Sequence, residues 1–175
     1  IQLPVLMFNR LFGQAVAGGY FYAHRVLSLP LSLIGSSISQ VLYTQLASLR
    51  NSPKELSSLV GKTFDRLMTL GAIPFSIVGV FGPDLFALIF GEPWRQAGNF
   101  ASLIAPWLLF NFSGSPMSIV FSVFEKQRHM FFWMTTMFML RVTALLIGYW
   151  YFGDVYYAVL LFSVSGTLYY AAMNY

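Results

Sequence analysis

The chain has 175 residues, of which 57% are hydrophobic, 18% are aromatic and only 9% are Asp, Glu, Lys or Arg. Soluble domains carry about 25% charged residues, and ten basic plus six acidic side chains cannot cover a water-soluble surface of this size. Hydrophobicity excludes disorder, the absence of Cys excludes a disulfide scaffold, and the thin spread of basic residues argues against a nucleic-acid domain. A polytopic membrane protein remains, with a mean hydropathy of +0.67.

A bilayer core about 30 Å thick needs about 20 apolar residues per helix, so charge-free stretches mark spans. Residues 26–49, 67–83, 96–124 and 155–175 carry no charge, and 130–153 carry one, Arg141. The predicted spans are a partial one over 1–12, then 20–49, 60–82, 97–124, 130–152 and 155–175. These runs are too long and continuous for the alternation of transmembrane β-strands. The expected fold class is therefore all-α: one transmembrane helix bundle of about five to six spans. The chain opens without Met on apolar residues, shows no signal-peptide pattern, and ends inside the apolar run 168–175. We expect a piece of a longer protein.

The loops support the span count. The first holds Arg50, Lys54, Lys62 and Arg66, and the next, 82–96, holds Arg95 alone. Then come Lys126 and Arg128, and last Gly153-Asp154 with no base. Six basic residues fall on one side and one on the other, so the first and third loops are expected to be cytoplasmic. Trp94, Trp133 and Trp150 fall near span ends, as interfacial anchors do; Trp107 fits anchoring and core filling equally.

The second segment carries Arg25, Ser28, Ser32, Ser36, Ser39 and Tyr43 at spacings of three and four, which share a helix face. His24 is beside Arg25 in the chain but about 100° around the helix. A water-lined face and a close-packing seam of small residues both fit the serines; an Arg at the end of the row favours the wet face. Asn111, Ser115, Ser118 and Ser122 form a second such face, and the two could line one cavity. Asn111-Phe112-Ser113 matches a glycosylation sequon, but mid-span the match is chance.

Pro30, Pro74, Pro106 and Pro116 lie inside predicted spans, where proline removes a hydrogen bond and kinks the helix. They suit hinges of a bundle that rocks; static kinks are the other reading, since proline is commoner in membrane helices than in soluble ones. Arg141 is the sharpest single feature. A cation at the bilayer centre costs about 2.5 to 3.5 kcal/mol on insertion scales, and no acid lies within a helical turn to neutralise it. It is expected to face the bundle interior, as an anion site or as a structural partner of backbone carbonyls or a distant acid.

No predicted span holds Asp or Glu near its centre, so a carboxylate relay is not visible, and the buried charge favours an anionic substrate. Gly61-Lys62-Thr63 lacks the earlier glycine and the preceding strand of a phosphate loop. The two His, His24 and His129, form no metal cluster or nucleophile pair. Nothing here argues for an enzyme, a cofactor or a metal.

Phe12-Gly13, Gly19-Tyr20, Ala23-His24-Arg25, Leu29-Pro30 and Ile34-Gly35 form an ordered run. Pro74-Phe75, Phe81-Gly82-Pro83, Ile89-Phe90-Gly91, Trp94, Ala97-Gly98, Ala105-Pro106-Trp107, Ser115-Pro116 and Glu125-Lys126-Gln127 continue it. From about Pro4 to Arg141 the chain resembles the second half of polysaccharide flippases of the Wzx type, within the multidrug/oligosaccharidyl-lipid/polysaccharide exporter superfamily. The resemblance implies two six-helix bundles around a cavity, of which this chain is most of one. It also implies alternating access, driven by an ion gradient, that moves an oligosaccharide on a polyprenyl diphosphate to the outer leaflet of a bacterial inner membrane.

Cavity cations would meet the diphosphate or acidic sugars; Arg25 and Arg141 fit that role, and Arg10 fits it less well. The lipid-linked oligosaccharide and membrane lipids are the implied partners, with a polysaccharide polymerase and chain-length machinery beside them, and no nucleic acid. Three other readings stand: a drug or metabolite exporter of the same superfamily, a membrane-embedded polysaccharide polymerase or ligase, and an assembly subunit without transport.

Overall fold

The computed structural model describes residues 2–49, 52–114, 120 and 127–173. It is a helical bundle, with no strand among the described residues. In chain order the helices are α1 (Gln2–Phe12), α2 (Gln14–Ser48), α3 (Pro53–Phe90), α4 (Arg95–Ser113), α5 (Gln127–Ile147) and α6 (Val155–Met173). A 3₁₀ turn, Glu92–Trp94, precedes α4, and a π turn, Gly148–Phe152, follows α5. Helices α2, α3, α6, and α5 with its π turn are long and apolar enough to cross a membrane. The expected all-α transmembrane bundle is the fold.

Helix α4 is the hub. It packs on α3, α6 and α2, while α1 packs on α2 and α5 on α6. It does not meet the length-and-hydropathy standard of the other four, yet its residues from Ala97 to Ser113 supply much of the core. The two facts have one cause. A helix surrounded by protein can use Gly, Ala, Ser and Asn for close approach, whereas a helix facing lipid must be apolar outward. Phe100, Ala101 and Ile104 are fully buried, and Phe131, Phe132, Leu88, Ile73 and Val80 on other helices are exposed. Such a wide apolar exterior is what a bilayer covers.

Breaks in the helices follow from backbone chemistry. Gly13 adopts φ 94° and separates α1 from α2. The chain turns there sharply enough that Phe8 meets Tyr20 with ring centres 4.6 Å apart. Between α5 and α6, Gly153 takes the left-handed conformation. Asp154 follows it, and its Oδ1 accepts the N–H of Tyr156 at 2.7 Å, satisfying a donor in the first turn of α6.

Helix α3 runs on to Phe90, so most of the expected loop at 82–96 is helical and Pro83 lies inside it. A neighbouring helix makes this tolerable. Gly82 and Gly98 bring α3 and α4 so close that a Cβ on either would strike the other's backbone. Ser102 on α4 donates to the Val78 carbonyl at 3.0 Å, about one turn before the proline. Gly91, at φ 96°, ends the helix. Just beyond, Arg95 pairs with Glu92 at 2.6 Å and reaches back to Asp84 of α3 at 2.5 Å.

Helices α2, α3 and α4 continue through Pro30, Pro74 and Pro106, each of which faces the exterior of the bundle. Pro116 lies outside the described residues, as do Ser115, Ser118, Ser122, Arg50, Glu125 and Lys126.

Candidate functional site

A cavity of about 420 Å³ opens among α2, α4, α5 and α6, with Pro4 of α1 at its wall. Helix α2 contributes Tyr20, His24, Ser28, Ser32 and Ser36, which repeat every four residues, and Gly35 beside them. Helix α4 adds Trp107 and Asn111, α5 adds Arg141, and α6 adds Phe162. The serine face and the Asn111 end of the second polar face therefore border one space.

The row on α2 enters the cavity through His24, not Arg25. His24 is buried, at 7% exposure, whereas Arg25 is exposed. The helix decides this: Ser28, Ser32 and Ser36 follow His24 at intervals of four, which holds them near one line, and Arg25 stands about 100° off it. Ser39 and Tyr43 are not among the cavity-lining residues, and Tyr43 is exposed. Arg10 is exposed near the end of α1 and is also outside the lining. Of the three cations read from the sequence, Arg141 alone borders this cavity.

The serine hydroxyls are partly committed. Ser28, Ser32 and Ser36 donate to the carbonyls of Arg25, Leu29 and Leu33 at 3.3, 2.8 and 2.9 Å. Each oxygen keeps acceptor capacity, so the α2 wall can accept hydrogen bonds from hydroxyl-rich groups. Asn111 offers both donor and acceptor from the facing helix.

Arg141 is held by aromatic faces. Its Cζ lies 4.2 Å from the ring centre of Trp107 and 4.5 Å from that of Phe162. Those two rings meet edge to face at 5.5 Å, and His24 lies 5.6 Å from Trp107 on the other side of the network. The salt bridges among the described residues all belong to Arg95. Desolvated cation–π contacts are each worth up to about 2 kcal/mol, comparable to the about 2.5 to 3.5 kcal/mol cost of the charge. Two rings thus help keep a half-buried cation tolerable at the edge of the cavity without a carboxylate among the described residues.

Sequence reasoning missed Tyr20, Trp107 and Phe162 as walls of this cavity. Tyr20 was within reach, one turn before His24 on the same face. Trp107 and Phe162 resemble ordinary core aromatics in sequence, and only the crossing of α4, α5 and α6 brings them to Arg141.

Residues 2–99 match the family described as "Polysaccharide biosynthesis protein". The chain belongs to this family. The match includes His24 and the serine face and ends before Trp107, Asn111 and Arg141. Over 167 residues, 95% of the chain, it is 21% identical to "Amylovoran biosynthesis protein AmsL" of Erwinia amylovora, covering 43% of that protein. Over 119 residues, 66% of the chain, it is 27% identical to "Lipopolysaccharide biosynthesis protein WzxC" of Escherichia coli (strain K12), covering 24% of it. No solved structure matches. The chain spans less than half the length of these curated relatives. This member of the polysaccharide biosynthesis family is a multi-pass membrane protein, and its resemblance to the Wzx-type group is borne out.

Proposed function

We propose that this chain is part of a transporter, not an enzyme, in a bacterial inner membrane. It moves a polyprenyl-diphosphate-linked oligosaccharide from the cytoplasmic to the outer leaflet for cell-surface polysaccharide synthesis. The observation that carries the reading is Arg141, a cation bordering a membrane-level cavity with no carboxylate in ion-pair range among the described residues. A diphosphate or an acidic sugar supplies the missing negative charge, and the planar guanidinium fork suits two oxygens of such a group. Serine and asparagine along α2 and α4 give the sugar hydrogen-bonding surface, while the lipid chain stays in the bilayer.

The cycle is alternating access between this bundle and the remainder of the protein, with Pro30, Pro74 and Pro106 as bending points. The polymerase and chain-length machinery take the product on the outer side. Names of the relatives support polysaccharide synthesis, and the cavity's positive charge supports an anionic substrate over an organic cation.

The test uses the full-length parent in cells. Arg141→Ala at normal membrane levels is expected to leave lipid-linked saccharide on the cytoplasmic leaflet. Normal export by that variant overturns the role of Arg141 and removes the observation on which this reading stands.

A further inference from the structure

The nitrogens of Arg141 that would grip an anion are turned away from it. Nε and Nη2 are both fully buried and have no hydrogen-bond partner among the described residues, and the same is true of Trp107 Nε1. Nε and Nη2 form one edge of the guanidinium, the side that receives two oxygens of a phosphate or carboxylate. Its Nη2 end faces α6 at Gly166. A Cβ added to Gly166 would stand 2.6 Å from Nη2, 2.6 Å from Trp107 Cδ1 and 3.0 Å from Trp107 Nε1. Only a residue without a side chain lets the guanidinium and the indole nest against α6 together.

The guanidinium is thus flanked by Trp107 and Phe162, two rings in edge-to-face contact beside it, and Nη2 is closed off by Gly166. The enclosure satisfies the charge but not the donors. A buried donor without a partner costs about 1 to 3 kcal/mol, so the seat is a compromise that a better partner can disrupt. Deepening the anion-site reading above, and resting on it, we propose that Trp107, Phe162 and Gly166 are positioning residues. They form a clamp that holds Arg141 withdrawn, and anion capture requires Arg141 to leave it for the cavity.

A competing clamp lowers apparent affinity by the fraction of molecules in which Arg141 is free. Weakening it therefore tightens binding, the opposite of what loss of a merely structural residue does. The experiment uses the full-length parent in lipid nanodiscs, titrated with inorganic diphosphate by calorimetry. Gly166→Ala crowds the seat, and Phe162→Leu removes one aromatic face without crowding it; Arg141→Gln marks binding at this site. Both clamp variants are expected to bind diphosphate about three- to tenfold more tightly than the parent, and Arg141→Gln to abolish binding.

If binding needs Arg141 but both clamp variants bind equally or more weakly, the clamp is overturned and the anion meets Arg141 in its seat. If the parent binds no diphosphate, or Arg141→Gln binds it as well as the parent, the anion-site reading fails and the clamp falls with it.

Discussion

The guanidinium of Arg141 on α5 lies over the indole of Trp107 on α4, with 4.2 Å from Cζ to the ring centre. Residues 34 positions apart in the chain thereby share one charge. The delocalised guanidinium suits an aromatic neighbour in a way that the compact ammonium of lysine does not.

Arg141→Lys is accordingly a severe change despite conserving charge. The ammonium is strongly hydrated and has no planar fork. Surface polymer made by the full-length parent carrying this variant is expected to fall at least about tenfold, a barrier change of about 1.4 kcal/mol. Membrane level and polymer yield, measured together, check it; near-normal yield would show that a point charge suffices.

The crossing of Gly82 and Gly98 sets the distance between α3 and α4. Gly98→Val puts two methyl groups against backbone that cannot move aside. Overpacking of this kind costs typically about 1 to 3 kcal/mol, and the rigid neighbour places this site at the upper end. A lower unfolding midpoint of the full-length protein in detergent is the expected result. Ser102→Ala, which loses the hydrogen bond to Val78, is expected to be milder, at about 1 kcal/mol.

Asp154 caps α6 through the N–H of Tyr156. Asp154→Ala is expected to lower stability by about 0.5 to 2 kcal/mol, and Asp154→Asn to recover most of it. Thermal unfolding of the three proteins side by side decides whether the carboxylate acts as a cap or as a bystander.

The cluster at the opposite end of α4 predicts a pH effect. Arg95 hydrogen-bonds the Glu92 carboxylate and holds it below the usual carboxylate range. An unfolded Glu titrates near about pH 4.3. A depressed folded value means that the pair stabilises above that pH and that its contribution is lost as pH falls through the lower folded value. Both side chains are largely exposed, so the effect is small and screened. The unfolding midpoints of the parent and of Arg95→Ala should differ by a constant amount above about pH 5. They should converge in stronger acid, and converge at neutral pH in about 1 M salt.

Length, composition and charge-free runs are enough to read an all-α membrane bundle from the chain. The physical reason is local: a helix satisfies its own backbone in lipid, so an apolar run of sufficient length suffices. Periodicity also marked Ser28, Ser32 and Ser36 as one face, and an isolated charge marked Arg141 as exceptional. Gly153-Asp154 was legible as the break between two apolar runs, which needs only neighbours in the chain.

The remaining features depend on which helices touch. His24 rather than Arg25 turns to the cavity because α4 and α6 lie on that side of α2. Helix α3 passes beyond Pro83 because Gly98 and Ser102 of α4 receive it there. The neighbours of Arg141 among the described residues include two rings and a glycine, none of them distinguishable from core packing in sequence. Cation–π contact and close backbone approach act over a few ångströms in space, and residues 107, 141 and 166 carry no mark in the chain that they will meet.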